Sequence, residues 1–147
     1  REISKGVESF EMLPPESEMP VYNKKLKILI AEDDQISQLL LTKMIEDVSS
    51  KILKASNGEE VVQISKDNPD IDLILMDVSM PIMNGHEATR AIRQFNKDVV
   101  IIAQTAHGMS SDRKEAIFAG CNDYISKPIN KVNLYQLIEQ YFGREEG

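Results

Sequence analysis

Several common kinds of protein are excluded by what this sequence lacks. It has one cysteine, Cys121, in 147 residues, so no internal disulfide can form, and no Cys/His spacing matches a zinc site. A reducing compartment, by default the cytoplasm, is the expectation. No apolar run approaches the roughly 18 residues of a membrane span, and the polar N-terminus lacks the basic start and apolar middle of a signal peptide, so no membrane contact by this segment is expected. Positive charge is also short: 17 Lys and Arg face 24 Asp and Glu, for a formal net charge of -7. Phosphate contacts need a clustered basic surface, whereas these basic residues are scattered, which argues against nucleic-acid binding by this chain.

What the chain does have is 41% hydrophobic residues, enough for one well-packed domain but too short a chain for two of ordinary size. Residues 1–25 carry Pro14, Pro15 and Pro20 among glutamates with little periodicity and read as a linker. The domain is expected over residues 26–143, with 144–147 as a tail. Within it, Ile28-Leu29-Ile30-Ala31, Ile52-Leu53, Leu73-Ile74-Leu75-Met76, Val99-Val100-Ile101-Ile102-Ala103 and Tyr124-Ile125 are short apolar runs separated by helical-length segments. Continuous rather than alternating runs suit strands covered on both faces, as in a parallel sheet with helices on each side. The intervening segments agree: Leu134, Leu137, Ile138, Tyr141 and Phe142 fit one helical face, as do Ala88, Ala91, Ile92 and Phe95. Asn57 and Asn84 each precede a Glu by three residues, a helix-start signal. The expected architecture is a doubly wound α/β fold of (βα)₅ topology.

In open parallel sheets the working crevice lies beyond the carboxyl ends of the strands. The first run ends in Glu32-Asp33-Asp34 and the third in Asp77; the fourth ends near Thr105, and the fifth leads into Ser126-Lys127-Pro128. Three carboxylates about 5 Å apart repel by roughly 3 kcal/mol per pair at an effective dielectric near 20, so such a cluster requires a cation or raised pKa values. Oxygen-only ligands suit a hard divalent ion, with Mg²⁺ the leading candidate. Asp34 can instead cap the first helix. If a phosphoryl group is transferred, Asp77 is the carboxylate nucleophile, and Lys127 and the Thr105 hydroxyl bind the equatorial oxygens.

Four motifs, Ala31-Glu32-Asp33-Asp34, Leu75 through Gly85 (LMDVSMPIMNG), Ala103-Gln104-Thr105-Ala106 and Asp123 through Pro128 (DYISKP), are together similar to the response-regulator receiver family of two-component phosphorelays. The resemblance implies a flavodoxin-like sheet of order 2-1-3-4-5 and a domain that catalyses its own phosphorylation and dephosphorylation. Asp77 would receive the phosphoryl group from a phosphohistidine of a histidine kinase dimerisation domain or a histidine phosphotransfer domain. Mg²⁺ would be held by Asp33, Asp77 and the backbone carbonyl of Ser79, with Glu32 completing the acidic pair through a metal-bound water. Thr105 and Tyr124 would form the switch pair, and a cis Lys127-Pro128 peptide would aim the lysine into the site. Asn84 stands where the family more commonly has Asp. Ser79 and His107 occupy positions that vary in the family and tune autodephosphorylation.

The opening residues, Arg1 through Pro14 (REISKGVESFEMLP), resemble the closing strand region of a histidine-kinase ATP-binding domain, with Ser4 at one glycine position. A hybrid sensor kinase is therefore one expected setting, in which this segment would be the cytoplasmic part of a membrane-anchored chain; an ordinary linker ahead of a stand-alone regulator is the other. His86-Glu87-Ala88-Thr89-Arg90 superficially resembles a kinase's phosphorylatable helix, but no proline follows and the segment lies in the third predicted helix. Two other functions share parts of this chemistry. An aspartate-nucleophile phosphohydrolase usually carries a second acid two residues after the nucleophile, where this chain has Ser79. A flavin-binding module of the same fold wants amides and hydroxyls around its phosphate, whereas Asp33 and Asp77 would repel it.

Overall fold

A computed structural model describes residues 25–143. The linker or kinase remnant expected at 1–25, apart from Lys25, and the tail at 144–147 lie outside the described residues. Strands and helices alternate: β1 (Leu26–Ala31), α1 (Gln35–Ile45), β2 (Ser49–Ala55), α2 (Gly58–Asp67), β3 (Leu73–Asp77), α3 (Gly85–Arg93), β4 (Val100–Thr105), α4 (Ser110–Ala119), β5 (Asp123–Ser126) and α5 (Lys131–Phe142). One turn of 3₁₀ helix, Glu46–Val48, joins α1 to β2. The five strands are parallel, in the order β2-β1-β3-β4-β5. This is the flavodoxin-like arrangement the sequence led us to expect.

Side chains alternate across a strand, so each strand feeds two cores. Ile28 and Ile30 of β1, Leu73 and Leu75 of β3 and Ile102 of β4 meet Leu41 and Ile45 of α1 and Leu134, Tyr135 and Ile138 of α5. The other face, with Leu29, Ile74, Met76, Ile101 and Ala103, is covered by Val61 of α2, Ala88 and Ile92 of α3 and Ala116 of α4. Burial on both sides is why the strands read as unbroken apolar runs.

The helix starts are fixed by short polar side chains. Asp34 accepts from the Ser37 N–H at the start of α1, and Asn57 from the Glu60 N–H at the start of α2. At α3 the arrangement is reciprocal: Asn84 Oδ1 accepts from the Glu87 N–H while Glu87 accepts from the Asn84 N–H. One expectation fails. Phe95 lies beyond the end of α3 and is 41% exposed, because the helix stops at Arg93; its ring instead meets the Lys66 ammonium at 5.6 Å.

At the edge of the sheet away from Asp77, Arg93 fastens three elements together. Its Nε donates to the Gly120 carbonyl after α4, its Nη1 to the Asn96 and Val99 carbonyls before β4, and its Nη2 to Asn122 Oδ1 before β5. No helix among the described residues is long and apolar enough to cross a membrane.

Candidate functional site

The sheet register sets the chemistry side by side. Ala31 pairs with Met76, Asp77 with Gln104, and Thr105 with Ser126, so the residues at the carboxyl ends of four strands share one rim. The chain is held closely there. The Val78 N–H donates to the Gln104 carbonyl, and the Lys127 N–H to the Thr105 carbonyl. Gly85 folds the β3–α3 loop back, its N–H donating to the Val78 carbonyl at 2.9 Å. A Cβ on Gly85 would sit 2.3 Å from the Asp77 carbonyl oxygen, so no larger residue fits without a backbone shift.

Glu32, Asp33 and Asp77 converge, with one carboxylate oxygen from each lying within 4.8 Å of the others. Glu32 and Asp77 are 1% and 3% exposed, whereas Asp33 is open to solvent. Lys127 lies between the two buried acids, its Nζ 3.1 Å from Glu32 Oε1 and 3.2 Å from Asp77 Oδ1. The Ser79 N–H adds a donor to Asp77 Oδ1 at 3.2 Å, and the Asp34 N–H one to Glu32 Oε2 at 3.1 Å. The Lys127–Pro128 peptide is cis.

The electrostatics reflect an excess of acid. Burial, and then the Glu32 charge, raise the Asp77 pKa to about 6 against the opposing pull of Lys127 and the Ser79 N–H. Burial alone would lower the Lys127 pKa, but contact with Glu32 and the charges of Asp77 and Glu32 outweigh it and the net shift is upward. One ammonium does not neutralise three carboxylates. The donor set is all oxygen, drawn from two strand ends, with one carboxylate already facing water, and it fits a hard divalent cation that keeps part of its hydration.

Every residue read from the sequence as a site candidate lies at this rim or directly behind it. Thr105 is buried at the end of β4, and its hydroxyl has no hydrogen-bond partner among the described residues. Tyr124 pairs in register with Ala103, two residues back from Thr105, and its ring packs against the core beneath α2, α3 and α4. Thr105 and Tyr124 therefore share one face of the sheet. Ser79 and His107 are exposed on the loops beside the site. Asp34 caps α1, as its position allowed. His86 through Arg90 lie inside α3, the third helix, where the sequence placed them. One polar residue was overlooked as a feature in its own right. Gln104 is 1% exposed, and neither of its amide atoms has a partner among the described residues; the signal available was an amide following four apolar residues, ahead of Thr105, in β4.

Comparison with known proteins places this geometry in context. The family model for the response regulator receiver domain matches residues 28–139. The chain is 32% identical over 133 residues to the sensor histidine kinase GacS of Pseudomonas protegens, an alignment covering 87% of this chain and 14% of GacS. It therefore spans about a seventh of that relative's length. Among solved structures, the receiver domain of the response regulator Ssk1 of Saccharomyces cerevisiae, crystallised with the histidine phosphotransfer protein Ypd1, superposes with a TM-score of 0.77 at 34% identity, covering 83% of this chain and 91% of that one. The receiver domain of the sensor histidine kinase PA1611 from Pseudomonas aeruginosa, which has a magnesium ion in its active-site cleft, gives a TM-score of 0.72 at 30% identity, covering 82% and 99%.

Proposed function

Since this chain belongs to the response regulator receiver family and is a receiver domain of two-component signalling, we propose that Asp77 is its phosphoacceptor and that residues 26–143 carry out Mg²⁺-dependent phosphoryl transfer from a phosphohistidine. The observation that carries this reading is the meeting of Glu32, Asp33 and Asp77 within 4.8 Å with the Lys127 ammonium 3.2 Å from Asp77. A carboxylate so surrounded is a positioned nucleophile.

In the proposed step an Asp77 carboxylate oxygen attacks the phosphorus in line. The O–P bond forms as the P–N bond to the donor imidazole breaks, and the imidazole departs with the bonding electron pair. Lys127 and the Thr105 hydroxyl hold the equatorial oxygens, whose charge is spread in the transition state. Mg²⁺ held by Asp33, Asp77 and the Ser79 carbonyl, with Glu32 reaching it through water, would supply the charge neutralisation that one lysine cannot. The Thr105 hydroxyl, with no hydrogen-bond partner among the described residues, is available to turn toward the new group, and Tyr124 to follow on the same face. That movement is the conformational switch.

The phosphodonor we assign is a histidine phosphotransfer domain or a kinase dimerisation domain. Support comes from the similar Ssk1 receiver, which was crystallised with a phosphotransfer protein. The likeness to GacS supports a hybrid sensor kinase as the parent, with residues 1–25 joining the receiver to a preceding ATP-binding domain on the cytoplasmic side. Incubation with acetyl phosphate and Mg²⁺ followed by peptide mapping by mass spectrometry tests the assignment. One phosphoryl adduct on Asp77, abolished by Asp77→Ala and by chelation of the metal, is expected. An unmodified chain, or labelling that survives Asp77→Ala, overturns it.

A further inference from the structure

The three acids at the rim are not held in the same way. Glu32 is gripped by the Lys127 ammonium and the Asp34 N–H, and Asp77 by the same ammonium and the Ser79 N–H. Asp33 is open to solvent, and among the described residues no hydrogen bond or ion pair holds its carboxylate. The direction of that carboxylate is therefore set through its backbone, two residues past the end of β1.

Two hydrogen bonds hold the backbone of Glu32, from which Asp33 hangs. The Glu32 N–H donates to the Ala55 carbonyl of β2 at 3.0 Å, extending the strand pairing by one residue. The Glu32 carbonyl belongs to the same planar peptide as the Asp33 N–H, and it accepts from Gln38 Nε2 at 3.1 Å. Gln38 is the fourth residue of α1, so its amide reaches back across Asp33 and Asp34 from a fixed base. That base is set by the Asp34 cap on the Ser37 N–H and by the Gln38 N–H on the Asp34 carbonyl. Holding the Glu32 carbonyl restricts rotation on either side of the peptide, and the Cα–Cβ direction of Asp33 follows.

We propose that Gln38 is a positioning residue for the metal: by holding the Glu32 carbonyl it aims the Asp33 carboxylate into the cluster with Glu32 and Asp77. Gln38 is not itself a ligand, so part of the affinity for a divalent cation originates in α1, one layer behind the acids. The inference rests on the reading of these acids as a Mg²⁺ site and deepens it. A partner that orients a metal ligand typically carries about 10–100-fold in affinity, and a single neutral amide on a carbonyl belongs at the lower end.

Titrating the full chain with Mg²⁺, followed by backbone amide NMR shifts, tests this. Gln38→Met keeps the length and helix preference of the side chain and removes the donor; it is expected to weaken Mg²⁺ about tenfold. In the metal-free chain the Asp33 amide should pass from an order parameter of about 0.85, that of rigid backbone, toward the flexible range below about 0.6. The Ser79 amide, held by Asp77, should not change. Thr42→Val is the control, because it removes the bond from the Thr42 hydroxyl to the Gln38 carbonyl and leaves the Gln38 amide in place; Mg²⁺ affinity should be unaltered. A Gln38→Met affinity within about twofold of wild type, an Asp33 amide that stays rigid, or an equal loss in Thr42→Val overturns the proposal. Asp33→Asn judges the underlying reading separately. A wild-type chain that takes up no Mg²⁺, or an affinity that survives Asp33→Asn, removes the metal site itself and the proposal with it.

Discussion

At the scale of single residues, the site is a charge imbalance confined by burial. The Asp77 carboxyl titrates near 6 in the folded chain against an ordinary 3.8. The folded state therefore holds the proton longer than the unfolded one, and stability falls as pH rises through the window between those values, with the full penalty present at neutral pH. Asp77→Asn, measured by urea unfolding in chelator, is expected to raise stability at pH 7 and to flatten the decline between pH 4 and 6; an unchanged slope refutes the cause given. Lys127→Ala should slow acetyl phosphate labelling by about 10²-fold while leaving Asp77 the labelled residue, as loss of one charged donor at a transition state does. Much of this site was legible in the sequence, because acids following apolar runs must gather at one edge of a parallel sheet. Lys127 was expected at the same rim, but its simultaneous contact with Glu32 and Asp77 was not, since it depends on how four strands align, and one chain's pattern does not state the register between strands.

Helices and loops decide how accurately Asp77 is held. Gly85→Ala brings a methyl to 2.3 Å from the Asp77 carbonyl oxygen; the resulting strain is expected to cost about 1–3 kcal/mol and to slow labelling as well, read from thermal unfolding and the initial labelling rate. His86, one residue on in α3, has a buried Nδ1 without a partner among the described residues. Burial lowers its pKa, opposed by Glu115, reinforced by Arg90 and opposed again by Asp112. The unfolded chain then binds the proton more readily, so this contribution leaves stability intact above the ordinary value of 6.5 and reduces it as pH falls below. His86→Leu should remove that acid-side loss, seen as a shallower fall in unfolding free energy between pH 7 and 5. Its sign is opposite to that of Asp77, so the two substitutions separate the contributions. The capping asparagines and the buried strands could be read from sequence. The extent of β2 could not: Ser49–Ala55 is longer than its Ile52-Leu53 run, because Ser50, Lys51 and Lys54 are exposed at an edge and interrupt the apolar signal.

For the molecule as a whole, two cores on either side of one sheet carry the stability, and the reactive rim sits above both. Ile138→Ala, in the core beneath α1 and α5 and fully buried, is expected to cost about 2–5 kcal/mol in urea unfolding without altering the labelling rate of the folded protein. A change in that rate would mean the core and the rim are not separable. The far end of the sheet imposes a constraint of another kind. There Arg93 ties the end of α3 to the turn after α4 and to the approaches of β4 and β5. At the rim end α3 is anchored as well, by the Gly85 N–H on the Val78 carbonyl. The two ends of α3 are thus pinned independently, Gly85 to the residue after Asp77 and Arg93 to the connections that lead into β4 and β5.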